Sequence, residues 1–366
     1  MNKFNFLFIF IFILFLLNTC AKPPEIQPSN GLPQEQVDAL LKEVLAFPNQ
    51  TQFSIGVVKN GVVSFVGLKN ENGQAIEVEN HNKTFEIGSI TKVFTSTLLA
   101  QLVLEDKLQL EDEINAYTTI PLQGDSKISF VELANHTSGL PRLPSNIRTG
   151  RAADNPYKHY GKDQLRNYLT KELATDLGPN GIYLYSNLGA GLLGYLISEI
   201  ENQPYESLLQ TEIFSSYKMM NSTTDRTKIE PSLIKGLDEA GNEVPNWDLS
   251  VLVGAGGILS STEDLAKFAL AHFEAADSTL ALTRKSTHTV DHISDVGLGW
   301  EIIKRRSGAI WYKHNGRTGG YTSAMILDVE KENGLIILSN VSAYSNQSPL
   351  IDDWAFDLMK QIETQK

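Results

Sequence analysis

Apolar residues in this chain recur at two spacings, and the change from one to the other marks out its elements. From Gln34 to Phe47 they follow the period of an amphipathic helix. Gln52–Val58 and Val62–Leu68 read instead as strands, and the Asn60-Gly61 pair between them is the strongest short hairpin signal. From Ser89 to about Ala275 the spacing is mainly helical. Leu98, Leu99, Leu102 and Val103 form one run, and Leu188, Leu192, Leu193, Leu196, Ile197 and Ile200 a second. A third carries Leu265, Phe268 and Ala269, with Ser260 and Glu263 placed to cap it. Strands return between Leu298 and Asn340, including Tyr321–Asp328 and Gly334–Ser339. A last helix bears Ile351, Trp354, Ala355, Leu358 and Ile362 on one stripe. Strands at both ends and helices between them predict an α/β (α+β) architecture. An antiparallel sheet flanked by helices is expected from residues 34–88 and 290–366, with a mainly helical part, 89–289, inserted. A ligand cleft belongs between the two parts.

The N-terminus follows a different rule. Lys3 precedes an unbroken apolar run from Phe6 to Leu17, shorter than the roughly 20 residues a spanning helix needs. Leu17-Asn18-Thr19-Cys20 resembles a bacterial lipobox, whose cysteine is lipidated and becomes the new N-terminus. Cys20 is the only cysteine, which excludes a disulfide within one chain and suits lipid attachment. The expectation is a signal segment over 1–19 and an extended, proline-bearing tether over 20–33 that holds residues 34–366 at the membrane. The plainer alternative is a secretory signal or uncleaved anchor with an incidental cysteine. With 366 residues, 42% of them hydrophobic, the chain can build a large core. Its net charge of −12 argues against nucleic acid as a partner and against non-specific adhesion to anionic lipid.

Three short motifs, far apart in the chain, carry candidate chemistry. In Ser89-Ile90-Thr91-Lys92 the two polar residues sit three apart at the start of a helix, so they share a face. A serine hydroxyl needs a neighbouring base, and a lysine serves only if burial or nearby positive charge lowers its pKa. Alone, this pair would read as a helix cap and a solvated charge. In Tyr185-Ser186-Asn187, a tyrosine beside a lysine could lose its proton to the neighbouring cation, while Asn187 could orient Lys92 and hold a substrate amide. The third motif, His314-Asn315-Gly316, ends a strand in a glycine-rich turn. There the backbone N–H of Arg317, with that of Ser89, could form an oxyanion hole. His314 would offer a switchable cation to a substrate carboxylate. His288, Asp291 and His292 have helical metal-ligand spacing but no H-E-x-x-H pattern, and a solvated surface is the better reading. Neither a metal nor another cofactor is expected.

Longer segments extend these motifs. They are Phe85-Glu86-Ile87-Gly88 before Ser89, Leu133-Ala134-Asn135-His136-Thr137-Ser138-Gly139-Leu140-Pro141, Gly181-Ile182-Tyr183-Leu184 before Tyr185, Gly254-Ala255-Gly256-Gly257, and Gly297-Leu298-Gly299-Trp300. With them, from about Gln34 onward, the chain resembles the class C β-lactamase-like serine hydrolases, a group that also holds penicillin-binding proteins, D-Ala-D-Ala carboxypeptidases, D-aminopeptidases and some esterases. The resemblance implies a β-lactamase/transpeptidase-like fold. It also implies acyl transfer through Ser89, with Lys92 and Tyr185 as proton carriers and Asn187, His314, Gly316 and Arg317 around the substrate. One departure stands out: class C β-lactamases have Lys-Thr-Gly where this chain has His314-Asn315-Gly316. A histidine is charged only part of the time near neutral pH, which points toward peptidase and esterase members. Substrates in view are β-lactams and D-amino-acid peptides, with small esters as the alternative. A non-catalytic lipoprotein that captures penicillin or cell-wall fragments is the other class, and it would not need a nucleophile with its base. His136 is expected to play a structural hydrogen-bonding part.

Overall fold

Asn60 and Gly61 both take positive φ, 50° and 74°, the left-handed pair a two-residue hairpin requires. They join β1 (Gln52–Lys59) to β2 (Val62–Glu71). The computed structural model describes residues 32–124, 126–147, 155–173 and 178–364. Further strands are β3 (Gln74–Glu77), β4 (Thr84–Glu86), β5 (Leu259–Ser261), β6 (His288–Thr289), β7 (Ser294–Val296), β8 (Glu301–Lys304), β9 (Ile310–Arg317), β10 (Thr322–Asp328) and β11 (Asn333–Ser339). Nine of them form one antiparallel sheet in the order β3-β2-β1-β11-β10-β9-β8-β7-β6, while β4 and β5 pair separately. Phe53 of β1 faces Ser339 of β11 and Val58 faces Gly334, so early and late segments of the chain meet in the middle of the sheet.

The two-residue period of the strands divides the core. Ala324 and Ile326 of β10 point to one side, where the N-terminal helix Gln34–Val44 and the C-terminal helix Ser348–Thr364 pack. Met325 and Leu327 point to the other, against the helices Thr91–Leu104, Asn187–Glu201 and Thr262–Phe273. The C-terminal helix buries the stripe read from its sequence, and Trp354 lies 5.0 Å from the Phe53 ring.

Several expectations need correction. Between 209 and 258 the chain is less helical than its apolar content implies. Single turns such as Arg226–Lys228 and Glu230–Ser232 alternate with loops, because Pro231, Pro245 and a series of glycines interrupt regular structure. The third helix is capped by Ser261, whose hydroxyl accepts from the Asp264 N–H at 3.1 Å. Ser260 instead belongs to β5 and bonds Ser222 at 2.8 Å. His288, Asp291 and His292 lie on the β6–β7 hairpin, which removes the helical spacing that suggested a metal site. Leu32, inside the expected tether, is buried in the core cluster that holds the N-terminal helix. The expected signal segment, Cys20 and the tether as far as residue 31 lie outside the described residues. Among the described residues, no helix is long and apolar enough to cross a membrane.

Candidate active site

Ser89 sits in a single 3-10 turn, Gly88–Ile90, that runs directly into the buried helix Thr91–Leu104. That helix brings Lys92 beneath it, and the structure adds two acceptors from elsewhere. Lys92 Nζ lies 3.0 Å from Ser89 Oγ, 2.9 Å from Asn187 Oδ1 and 2.7 Å from the carbonyl of Ala255. The lysine is 1% exposed. Burial, helped by the positive charge of Arg142, pushes its pKa well below that of a free lysine, so the neutral amine is favoured. A neutral amine has two hydrogens and one lone pair. Asn187 and Ala255 offer only oxygens and take both hydrogens, which leaves the lone pair facing the Ser89 hydroxyl. This is the geometry of a general base.

Tyr185 completes the group from the cleft side, with Lys92 Nζ 4.8 Å from its ring centroid. Burial raises the phenol's pKa, and the Ser89 hydroxyl and Arg142 offset this only in part. Of the two bases the sequence left open, this favours the neutral Lys92 amine, with the Tyr185 phenol keeping its proton. The Tyr185-Ser186-Asn187 turn is held from behind. Ser186 N–H donates to His136 Nδ1 at 3.2 Å, while Ser186 Oγ donates to Pro141 O at 2.7 Å and caps the next helix at Gly189 N, 2.8 Å away. His136 is buried and its pKa is pushed well below the usual value, first by that burial. It accepts a backbone hydrogen bond, as expected of a structural residue. Asn187 uses both ends of its amide, accepting from Lys92 and donating to Tyr157 Oη at 3.2 Å.

The period-two alternation of β9 sorts the third motif. Trp311 packs with the C-terminal helix, and Asn315 and Arg317 reach its Asp352. His314 and Gly316 face the nucleophile. A Cβ on Gly316 would fall 2.0 Å from the carbonyl of Ile87, and one on Gly88 would fall 2.7 Å from the Arg317 amide nitrogen. Only glycine allows this approach, and it sets the Arg317 N–H beside the Ser89 turn. His314 is 2% exposed, and its Nδ1 lies 2.6 Å from the Asn315 carbonyl. Burial, with the nearby Lys92 second, lowers its pKa to about 3. The expected switchable cation is thus corrected: the imidazole is neutral near pH 7 and packed beside Tyr185, at 6.3 Å between ring centroids.

These elements open onto a cleft of about 530 Å³ lined by Ser89, Tyr185 and Asn187, with Tyr157, Trp247 and Tyr344 as an aromatic wall. Glu86, just ahead of the nucleophile, is buried and holds that wall, accepting from Asn246 Nδ2 at 2.7 Å and Trp247 N–H at 2.9 Å. Burial raises its pKa to about 7. Tyr157 lies in none of the sequence motifs, and Glu86 and Ala255 stood in the longer segments with no role assigned to them.

A family model described as Beta-lactamase matches residues 48–355, most of the chain. The chain belongs to the beta-lactamase family. Members with similar sequences include a beta-lactamase of Pseudomonas fluorescens, 26% identical over 280 residues that cover 74% of each chain. Another is the D-alanyl-D-alanine-carboxypeptidase/endopeptidase AmpH of Escherichia coli (strain K12), 24% identical over 74% of this chain and 75% of its own. Among solved structures, a beta-lactamase/D-alanine carboxypeptidase from Yersinia pestis superposes with a TM-score of 0.74 at 22% identity, covering 91% of this chain and all of that one. At that identity the likeness speaks for the shared family fold alone.

Proposed function

We propose that this member of the beta-lactamase family is an envelope-tethered serine hydrolase that forms an acyl-enzyme on Ser89 with β-lactams or D-alanyl peptides. The observation that carries the reading is the Lys92 amine, buried and placed 3.0 Å from Ser89 Oγ with its other two directions occupied by acceptors.

In the reaction, the Lys92 lone pair takes the Ser89 proton as Oγ attacks the substrate carbonyl carbon. The carbonyl oxygen becomes an oxyanion, met by the N–H groups of Ser89 and Arg317. The proton passes from Lys92 through the Tyr185 hydroxyl to the leaving nitrogen. The C–N bond then breaks and the acyl group stays on Ser89 as an ester. Water attacks that ester, its proton returns to Ser89 along the same route, and the acid product leaves. Asn187 orients the base and Gly316 admits β9 to the site. For location, the lipobox at Leu17–Cys20 supports a lipid anchor on Cys20, with the stretch before Leu32 as tether.

Intact-protein mass tests the reading. Incubation with a penicillin should add the drug's mass to the wild-type chain, while Ser89→Ala should show no adduct and lose at least about 10³-fold in turnover. Full turnover in Ser89→Ala would refute it.

A further inference from the structure

The catalytic groups leave open what grips the anionic end of a substrate. Lys92 is buried with its amine neutral, and His314 is buried and does not line the cleft. Three formally charged side chains line the cleft among the described residues: Arg142, Glu301 and Arg317. Two are occupied. Arg317 is paired with Asp352, which also takes Asn315 Nδ2 at 2.9 Å, and Glu301 is paired with Lys313 at 3.0 Å.

Arg142 differs. It has no carboxylate partner among the described residues, and its side chain is exposed. Its guanidinium carbon lies 5.2 Å from the centroid of the Tyr185 ring, so the charge lies over a residue of the reacting group. Its backbone is anchored, because the Arg142 carbonyl accepts the N–H groups of Asn187 and Leu188 at 3.0 and 3.2 Å. The loop carrying the cation is thereby fixed to the helix end carrying Asn187. A guanidinium presents a planar fork of N–H donors that matches a carboxylate in two parallel hydrogen bonds.

We propose that Arg142 is a specificity-determining residue that holds the free carboxylate of the substrate, the role its partners in the third motif cannot fill. The inference rests on the acyl-enzyme reading for the identity of the ligand and is tested by binding alone. In a Ser89→Ala background, which prevents turnover, calorimetry would compare N-acetyl-D-alanyl-D-alanine with its C-terminal amide. The acid should bind at least about ten-fold more tightly than the amide, the value of one charge-assisted hydrogen bond. Adding Arg142→Ala should bring the ratio within about two-fold of one. Arg142→Lys should keep part of it, as a point charge without the fork. Equal affinities in the parent, a ratio that survives Arg142→Ala, or no binding of either ligand overturns the proposal. The Ser89 adduct is measured separately by mass: an adduct with no acid preference sinks only the Arg142 role, while an acid preference lost in Arg142→Ala without any adduct sinks only the acyl-enzyme reading.

Discussion

Two residues that could share one task, Lys92 and His314, are separated by burial and by what surrounds them. Each loses its charge chiefly because it is buried, and at Lys92 the positive charge of Arg142 adds to that loss. Acylation needs the Lys92 amine unprotonated, so kcat/KM should rise with pH through the lowered lysine pKa and fall on the acid side as the amine takes a proton. His314, with a pKa of about 3, should contribute no step between pH 5 and 8. Imidazole C–H signals recorded across that range should leave His314 unshifted. A His314 signal titrating near its ordinary 6.5 would restore it as a switch. The sequence carried the spacing that places Ser89 and Lys92 together, because three residues of helix fix one distance; the arrival of Asn187 from 95 residues away was not written in any spacing. It could not carry the burial of His314. That depends on β9 meeting the loops of His136 and Tyr185, which lie more than a hundred residues away in the chain.

Strand β9 is the element on which the site depends most, since its alternation delivers His314 and Gly316 to one layer and Asn315 and Arg317 to the other. Gly316→Ala should force β9 away from Ile87, because the new methyl has no space at 2.0 Å from a carbonyl. The Arg317 N–H would move with it. A loss of about 10²-fold or more in the acylation rate is expected, with circular dichroism close to wild type, since one oxyanion donor contributes on that scale. An unchanged acylation rate in Gly316→Ala would remove Arg317 from the proposed hole. Strands with a clean hairpin signal, β1 and β2, were legible from Asn60-Gly61. The short edge pair β6 and β7 was not, because two or three residues are too few for a period to register. The cap of the helix Thr262–Phe273 slipped by one position for a related reason: Ser260 and Ser261 offer the same chemistry, and only the pairing of β5 with β4 decides which one faces the helix.

At the scale of the whole molecule, the sheet separates chemistry from much of the stability. Ser89 and its partners lie on the side of the large helical layer. Trp354, Phe47 and Phe53 pack together on the opposite side, with ring centroids 4.9 to 5.5 Å apart. Trp354→Ala should cost about 3–5 kcal/mol by opening a cavity there. Urea unfolding would show a lower midpoint, and activity per folded molecule should stay within about two-fold of wild type. A selective loss of activity at unchanged midpoint would mean that the C-terminal helix reaches the chemistry by more than Asp352. The architecture itself was readable because strand signals at both ends and helix signals between them left few alternatives. The meeting of β1 with β11 was not locally encoded, since nothing near Phe53 names Ser339 as its neighbour.

The three-way seat of Lys92 has a further consequence. When the amine takes the serine proton, its new N–H points where its lone pair had been, and Asn187 and Ala255 keep the bonds they already had. No acceptor is abandoned and no dipole has to turn. Around the base, the reorganisation that water would need to follow a migrating charge was completed when the chain folded.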